Sequence, residues 1–456
     1  MAINASKRRG RSRVPRFRWV PWIAGIAAVF GSASCANNAA STGATAAPAP
    51  AAPVTAAPVA EAPAKITAPN PASVSQPTLS TADFSKWLMD FRAEAAKKGI
   101  STRTLETAFV NVEPLPRVLE LDRSQPEFVQ TFAGYLRPRV TETRINKGRE
   151  MLARHSALFK QIEQQYGVQG QYLVAFWGLE SDFGAVTGGF SAISALATLA
   201  YDPRRSQMYR DELLTALQII DAGHIKPEAM KSSWAGAMGQ CQFMPSTFKR
   251  YAIDGDGDGH INIWQSLPDV MHSAANYLSQ AGWKADERWG REVVLPANFD
   301  FALSGTTVRK SVSEWNSLGV RKADGSPLGN ASLQASVVVP AGAKGPAFLT
   351  YNNFRTAMVW NRSVNYALSV GLLADRLMGE TGLRHAPDAN ERPMDRAAVE
   401  EMQQRLNAAG INVGVPDGVP GSRTRDGVRE YQLKYKLVPD GYASYEFLEQ
   451  LRKATP

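Results

Sequence analysis

The chain contains 456 residues, of which 44% are hydrophobic, and it carries a formal net charge of +9. That apolar content is ample for a globular core and the length predicts more than one domain, which excludes a wholly disordered chain. Part of the positive charge lies in residues 7–18, so the remainder of the chain is only mildly basic. We therefore expect no nucleic-acid partner and no organic cofactor.

Residues 1–35 have the composition of an export signal. Lys7 and six arginines lie within residues 7–18 without any acidic residue, and the apolar run 19–30 follows them. The run is too short and too interrupted by proline to span a membrane. An arginine-rich nucleic-acid-binding tail is the alternative, but an apolar run does not normally follow such a tail, so we expect export.

Cys35 follows the apolar run in the segment Gly31-Ser-Ala-Ser-Cys35. This segment resembles a bacterial lipoprotein processing site, in which small residues precede the cysteine that receives the lipid. Ser32 stands where that pattern usually has an aliphatic residue, so ordinary cleavage near Ala33 or Ala36 stays open. The resemblance implies lipidation of Cys35 and an anchor in the outer membrane, whereas ordinary cleavage implies a soluble periplasmic protein.

The composition changes twice along the next part of the chain. Residues 36–80 are almost entirely alanine, proline, threonine, serine and valine, a composition that cannot bury a core and predicts a disordered tether. Residues 81–385 contain amphipathic helical runs, which predict one large α-rich domain. Within that domain, residues 293–339 are richer in valine, threonine, serine and glycine and predict a small β excursion.

Glu180 is the candidate catalytic acid, because it interrupts an apolar helical run. Helical spacing places Leu173, Phe176 and Trp177 on the side of the helix that carries Glu180. A carboxyl group among apolar side chains keeps its proton to higher pH, as an acid that protonates a leaving group requires. The alternative is a structural carboxylate that reaches solvent or pairs with an arginine.

The segment Asp254-Gly-Asp-Gly-Asp-Gly-His-Ile-Asn-Ile-Trp264 predicts a calcium site. Acids stand at loop positions one, three and five and glycine at six, as in an EF-hand loop, with the backbone carbonyl of His260 at position seven. Gln265 occupies position twelve, where a bidentate glutamate normally completes the shell. The alternative is a solvated acidic turn, although three adjacent carboxylates repel one another without a cation. The first three candidate ligands are Asp254, Asp256 and Asp258.

The segment 395–456 contains an internal echo after a proline-containing break at 386–393. The turns Val415-Pro-Asp-Gly418 and Val438-Pro-Asp-Gly441 each follow an apolar helical run. The segment resembles the peptidoglycan-binding type 1 domain, a small three-helix module, and this resemblance implies binding to peptidoglycan glycan strands. The alternative is that Asp-Gly pairs serve turn chemistry alone.

Two segments of the central domain resemble signatures of the membrane-bound lytic murein transglycosylase B family. These are Gly178-Leu-Glu-Ser-Asp-Phe-Gly184 and Ala235-Gly-Ala-Met-Gly-Gln-Cys-Gln-Phe-Met-Pro-Ser246, with further matches at 121–128, 201–205 and 351–354. The resemblance implies a lysozyme-like, mainly α catalytic domain in the periplasm. It further implies cleavage of the β-1,4 bond between N-acetylmuramic acid and N-acetylglucosamine, with formation of 1,6-anhydromuramyl products.

In this family one acid suffices, because the sugar's own C6 hydroxyl replaces water as the nucleophile. The resemblance implies that Glu180 first protonates the leaving oxygen and then accepts the hydroxyl proton. It implies that Asp269 completes a lengthened calcium loop. It also implies a set of substrate-binding residues, which are Gln242, Ser233, Arg204, Arg205, Tyr277, Asn361 and Tyr366.

Trp360 departs from the family, which commonly has a tyrosine there, so we expect sugar stacking without a hydroxyl contact. Asp182 lies two residues from Glu180 on another helical face, and we expect it to be structural. The alternatives to a transglycosylase are a lysozyme-like hydrolytic muramidase and a non-catalytic peptidoglycan-binding scaffold. Cell-wall synthesis or division proteins are the class of protein partner that such an enzyme implies.

Overall fold

The computed structural model describes residues 81–124 and 130–454. The predicted export signal with Cys35, the predicted tether and part of the family-matching segment 121–128 lie outside the described residues. Within the described ranges, no helix has the length and apolar character needed to cross a membrane.

Helices dominate the described part of the chain. They are α1 (Thr81–Lys97), α2 (Thr102–Ala108), α3 (Pro116–Ser124), α4 (Phe132–Leu136), α5 (Glu142–Arg154), α6 (Ser156–Tyr166), α7 (Gly170–Ser181), α8 (Ala192–Tyr201), α9 (Ser206–Asp221), α10 (Pro245–Tyr251), α11 (Leu267–Gln280), α12 (Val312–Ser317), α13 (Asn352–Trp360), α14 (Val364–Leu377), α15 (Arg396–Ala408), α16 (Ser422–Lys434) and α17 (Tyr445–Ala454). The strands are β1 (Phe190–Ser191), β2 (Lys231–Ser232), β3 (Gly290–Val294), β4 (Lys310–Ser311), β5 (Arg321–Lys322), β6 (Gln334–Val338) and β7 (Ala347–Thr350).

The main hydrophobic core surrounds α7, which is buried along most of its length. Every residue from Tyr172 to Gly178 is buried, and α7 packs against α5, α6 and α14. A helix that is apolar on all faces belongs in the centre of a helical domain. Gly178 allows the ring of Phe183 to lie against the helix, because a β-carbon at position 178 would come within 2.8 Å of that ring.

Strands β3 to β7 form one antiparallel sheet in the order β4-β6-β7-β3-β5, with its own core around Trp315. Val293 on β3 lies opposite Ala347 on β7, and Val337 on β6 lies opposite Leu349 on β7. The β excursion predicted from the sequence is therefore present, but it extends to residue 350. The last strand is buried at all four positions, so it lacks the alternation of apolar and polar residues that marks a half-buried strand.

Helices α15 to α17 enclose a separate small core that includes Met402, Leu406, Val428 and Leu448. The mainly α architecture with one small sheet and a three-helix C-terminal domain, predicted from the sequence, is thus confirmed.

The two echoed turns of the C-terminal domain are held in the same way. Gln403 on α15 accepts the backbone N–H groups of Asp417 and Gly418 at 2.9 Å each and donates to the Asp417 carboxylate at 2.9 Å. Gln432 on α16 accepts the N–H of Gly441 and donates to the Asp440 carboxylate, both at 2.8 Å. A buried amide that satisfies the orphan groups of a turn fixes its conformation.

The second echoed turn also contacts the larger domain. Asp440 Oδ2 accepts the backbone N–H of Ala343, in the turn between β6 and β7, at 2.8 Å. In the same turn, Lys344 Nζ pairs with Glu446 of α17 at 2.8 Å. That ion pair is exposed and adds little stability, but together the contacts define one docked arrangement of the two domains.

Candidate active site

Glu180 lies in the last turn of α7, where the chain leaves the helix abruptly. Asp182 and Phe183 both have positive φ angles, 49° and 60°, and the N–H of Asp182 caps the helix by donating to Trp177 O. A left-handed residue after the last turn is a common helix stop. The half-buried Glu180 side chain is consequently presented at a helix end rather than along a packed face.

Two aromatic side chains hold one oxygen of Glu180. The indole N–H of Trp360, at the end of α13, donates to Glu180 Oε1 at 2.8 Å. The hydroxyl of Tyr366, on α14, donates to the same oxygen. Phe176 packs against both rings, with centroid separations of 4.8 Å from Trp360 and 6.1 Å from Tyr366. Phe176, which helical spacing placed on the side of Glu180, therefore packs on the two rings that hold the Glu180 carboxylate.

The wall of the site continues through further aromatic rings. Trp360 lies 5.0 Å from Tyr277 and 5.3 Å from Phe243, and Tyr251 packs edge-on against Tyr277. Burial raises the pKa of Tyr277 to about 12, and burial together with the nearby Glu180 carboxylate raises the pKa of Tyr366 well above its usual value. Both hydroxyls therefore stay protonated near neutral pH and act as donors.

Asp182 points away from this wall. Its carboxylate lies 3.3 Å from Lys147 Nζ and 3.5 Å from Arg144 Nε, both on α5. These contacts fit the structural role expected for it and leave Glu180 as the acid of the aromatic site.

Gln242 sits in a tight loop beside the site. Its φ angle is +52°, which is uncommon for a residue with a β-carbon, and its Nε2 donates to Gly239 O at 2.8 Å and to Thr187 O at 3.2 Å. Such conformations persist where the surrounding structure enforces them, frequently at functional sites. Ser233 braces the preceding turn, because its hydroxyl accepts the N–H groups of Ala235 and Ala237.

Asn361 follows Trp360 directly and starts the connection to α14. Its side-chain oxygen accepts the N–H of Ser363 at 3.1 Å, while Ser363 caps α14 through the N–H of Tyr366. The turn thereby sets the positions of both aromatic donors to Glu180. Tyr366 contacts Glu180 directly, Tyr277 joins the same wall through Trp360, and Asn361 and Gln242 adjoin the wall in sequence.

Arg204 and Arg205 have a different partner. Both guanidinium groups form ion pairs with Asp122 of α3, whose carboxylate is only 2% exposed. Arg204 also donates to the backbone oxygen of Asp122 at 3.2 Å. The contacts seen for these arginines in the described residues are thus structural. The Arg204 side chain is nevertheless 48% exposed.

Sequence reasoning did not identify Asp122 or Glu212 as important acids. Glu212 on α9 is 2% exposed and accepts the N–H and hydroxyl of Ser246 at 2.9 and 2.7 Å. Burial raises the pKa of Glu212 to about 7. Ser246 lies in the first turn of α10, which follows the Gln242 loop, so Glu212 anchors that loop. The position of Glu212 on the helical face that also carries Tyr209, Leu213 and Ala216, all buried, is the sequence signal that could have identified it as a buried acid.

The acidic loop brings three carboxylates together. Oxygens of Asp254, Asp256 and Asp269 all lie within 4.8 Å of one another, and Asp269 is 1% exposed. Oxygen donors of this kind fit a calcium ion. Asp258 is not among these three, and its carboxylate accepts the N–H of His260 at 2.8 Å. The His260 carbonyl stays a predicted ligand.

The chain matches the family described as Transglycosylase SLT domain over residues 83–375, and a peptidoglycan binding domain family over residues 395–451. It is 32% identical over 239 residues to the membrane-bound lytic murein transglycosylase B of Escherichia coli K12. That match covers 52% of this chain and 64% of the length of the relative.

Two solved structures are similar to the described fold. SltB3 from Pseudomonas aeruginosa, in complex with NAG-anhNAM-pentapeptide, has 42% identity and a TM-score of 0.78, covering 81% of this chain and 99% of its own. The lytic transglycosylase Slt35 from Escherichia coli, in complex with calcium, has 29% identity and a TM-score of 0.56, covering 64% and 92%. These likenesses confirm the expected lysozyme-like fold. The chain belongs to the transglycosylase SLT domain family and carries a C-terminal peptidoglycan binding domain.

Proposed function

We propose that this protein is a murein lytic transglycosylase that cleaves the β-1,4 bond between N-acetylmuramic acid and N-acetylglucosamine and leaves 1,6-anhydromuramyl ends. The observation that carries this proposal is the setting of Glu180, a half-buried carboxyl group at a helix end with one oxygen held by Trp360 and Tyr366. The similarity to SltB3, solved with a NAG-anhNAM-pentapeptide, supports the same activity.

Glu180 serves as acid and then as base. It donates its proton to the leaving glycosidic oxygen as the bond from that oxygen to the anomeric carbon breaks. The C6 hydroxyl of the same muramyl sugar then attacks the anomeric carbon, and its proton passes to the Glu180 carboxylate. A second carboxylate is unnecessary, in keeping with the engagement of neighbouring Asp182 by Arg144 and Lys147.

The residues around Glu180 bind the glycan. Tyr277 and Trp360 offer ring surfaces to the apolar faces of the sugars. Gln242 and Asn361 supply amides for acetamido and hydroxyl groups, with Ser233 and Tyr366 holding their neighbours in place. Arg204 and Arg205 meet lactyl or peptide carboxylates through the part of each guanidinium that Asp122 does not use.

The acidic loop holds one structural calcium ion, which Asp254, Asp256 and Asp269 would bind through carboxylate oxygens. Asp258 and the backbone carbonyl of His260 would be the further ligands. The similarity to Slt35, solved in complex with calcium, supports this assignment. The ion would neutralise three clustered charges and stabilise the loop.

The protein works in the periplasm, where the C-terminal domain holds it on peptidoglycan. Lipidation of Cys35 anchors it to the outer membrane, and residues 36–80 link that anchor to the catalytic domain. Cell-wall synthesis or division proteins are its partners in this setting. Detection of a lipid on Cys35 by mass spectrometry of the purified mature protein tests the anchor, and an unmodified N-terminus near Ala33 or Ala36 contradicts it.

The central test is mass spectrometry of fragments released from purified sacculi. Wild-type protein should release muropeptides one water lighter than hydrolysis products, and Glu180→Gln should release none. Glu163→Gln, on the exposed face of α6, is the matched control and should behave as the wild type. Reducing-end products would identify a muramidase instead, and no release by the wild type would favour a scaffold.

A further inference from the structure

We propose that Trp360 determines which oxygen of Glu180 carries the transferable proton, by keeping Oε1 as a permanent hydrogen-bond acceptor. The proton is then confined to Oε2. This inference rests on the proposed function of Glu180 as the catalytic acid, and it assigns to Trp360 a positioning role in addition to sugar stacking.

The argument starts from the chemistry of the indole group. An indole N–H donates a hydrogen bond and has no lone pair with which to accept one. Trp360 Nε1 lies 2.8 Å from Glu180 Oε1. If Oε1 carried a proton directed at Trp360, that proton would lie against the indole hydrogen and repel it. The hydrogen bond from Trp360 to Glu180 therefore persists only while Oε1 is the acceptor.

Tyr366 is a second donor that favours an unprotonated Oε1. Its hydroxyl also donates to Oε1, and its raised pKa, caused by burial and the nearby Glu180 carboxylate, keeps it protonated. A phenol differs from an indole because it can reverse the bond and accept. Trp360 is therefore the group that makes the arrangement irreversible, whereas a tyrosine at position 360 would allow either oxygen to be protonated.

The packing of Trp360 keeps the donor in place. Its ring is surrounded by Phe176 at 4.8 Å, Tyr277 at 5.0 Å and Phe243 at 5.3 Å. These contacts come from three separate segments of the chain, namely α7, α11 and the loop before α10. Rotation of the indole away from Glu180 would disrupt all three contacts.

Loss of the Trp360 donor should be visible in the pH dependence of catalysis. Among the described residues, Tyr366 on α14 and Cys241 in the loop before α10 interact electrostatically with Glu180, and Tyr366 in turn interacts with Tyr277 on α11 and Tyr135 on α4. Burial raises the pKa of Tyr366, Tyr277 and Cys241, so these groups remain neutral near pH 7. The alkaline limb of the pH profile accordingly reports the proton on Glu180.

The experiment compares Trp360→Phe and Trp360→Tyr with the wild type on soluble glycan strands. Phenylalanine keeps a ring for stacking but removes the hydrogen-bond donor that stabilises the Glu180 carboxylate. The pKa of Glu180 should therefore rise, and the alkaline limb of the pH profile of kcat should move to higher pH by about one unit. At the optimum kcat should fall about tenfold, while KM changes less than threefold. Tyrosine restores a donor, and its alkaline limb should return towards that of the wild type.

Two further measurements separate positioning from packing. Carbon-13 NMR of labelled glutamate carboxyl groups, with Glu180→Gln for assignment, should show a higher titration midpoint in Trp360→Phe without any turnover. Trp283→Phe is the matched control, because it removes an indole N–H that donates to Gln169 at 3.0 Å outside the site. It should leave both the pH profile and the Glu180 titration unchanged.

The outcomes distinguish this inference from the proposed function. Anhydro products from the wild type, with an unshifted pH limb and titration midpoint in folded Trp360→Phe, would overturn the role of Trp360 alone. A wild-type protein that forms no anhydro product would overturn the proposed function and this inference together. If Trp360→Phe does not fold, Trp360→Tyr is compared with the wild type instead. Its alkaline limb and its Glu180 titration midpoint should then lie at higher pH than those of the wild type, by less than is expected for Trp360→Phe, and the absence of any shift would overturn the inference.

Discussion

Gln240 accepts the indole N–H of Trp177, on the helix that carries Glu180, at 2.8 Å. The amide nitrogen of the same side chain donates to the backbone oxygen of Trp264, at the end of the acidic loop, at 2.9 Å. The backbone N–H of Gln240 also donates to Ile263 O at 2.9 Å. One amide thus joins the Glu180 helix to the proposed calcium loop, two residues before Gln242.

Removal of calcium should therefore lower both stability and activity. A ligand that binds only the native state at a hundred times its Kd stabilises it by about 2.7 kcal/mol. We expect a lower melting temperature in chelator, restored by calcium, together with a reduced kcat as the loop behind Gln242 loosens. Asp254→Asn should abolish the calcium effect on melting, whereas Asp286→Asn, at an exposed position outside the loop, should preserve it. Identical melting with calcium and with chelator would contradict the site.

Glu212 should make stability depend on pH. Burial raises its pKa from the ordinary value of 4.5 to about 7, so folding favours the neutral form. Its contribution is complete below the ordinary pKa and is lost as the pH rises through the folded pKa. Glu212→Gln keeps a neutral acceptor for Ser246. Between about pH 5 and pH 8 the unfolding free energy of the wild type should fall more than that of Glu212→Gln, and the two falls should differ by up to about 3 kcal/mol.

Calorimetry across this pH range checks the expectation, with Glu163→Gln as the exposed control. Parallel curves for the wild type and Glu212→Gln would show that Glu212 is charged in the folded protein throughout.

Asp122 should be essential for the turn that carries Arg204 and Arg205. Replacement by asparagine removes the charge that pairs with both guanidinium groups and should cost about 3 kcal/mol or more of unfolding free energy. Asp426→Asn breaks an exposed ion pair with Arg429, 3.7 Å long, and should cost less than about 1 kcal/mol. Denaturant unfolding measures both. Equal effects would mean that the buried pairing at Asp122 contributes no more than a surface pair.

Gln403 should control the stability of the C-terminal domain. Leucine at this position leaves the Asp417 turn without its buried amide and should destabilise the domain by about 3 kcal/mol, since several hydrogen bonds are lost. Binding to purified sacculi should weaken in parallel. Gln404→Leu, at the adjacent exposed position, is the control and should bind as the wild type. A stable Gln403→Leu protein with normal binding would exclude this role.

The sequence predicted the fold class and indicated Glu180 as the candidate acid because both inferences depend on local patterns. A carboxylate in an apolar helix is visible in the residues around Glu180, and the acid spacing of the calcium loop is visible in 254–258. Helix boundaries were harder to predict, since the amphipathic pattern continues from residue 140 to residue 166 and indicates one helix there. The structure divides it into α5 and α6 at His155, whose φ and ψ of −109° and 24° are outside the helical range.

The partners of the site residues depended on packing between distant segments. Trp360 and Tyr366 lie far along the chain from Glu180 and reach it because α14 packs against α7 and α13 packs against α14. For Trp360 we expected sugar stacking without the hydroxyl contact of a tyrosine, and the hydrogen bond from its indole N–H to Glu180 was not foreseen. The pairing of Arg204 and Arg205 with Asp122 likewise required the placement of α3.

The two similar turns of the C-terminal domain have different surroundings, because the second turn contacts the larger domain. The turn at Asp440 faces the enzyme and accepts the N–H of Ala343, whereas Val415, in the other turn, is 85% exposed. A glycan strand held by the half of the domain that contains Val415 would meet the aromatic wall at Glu180 at a constant distance and orientation. The two domains would then act together as a ruler that keeps a fixed distance along the strand.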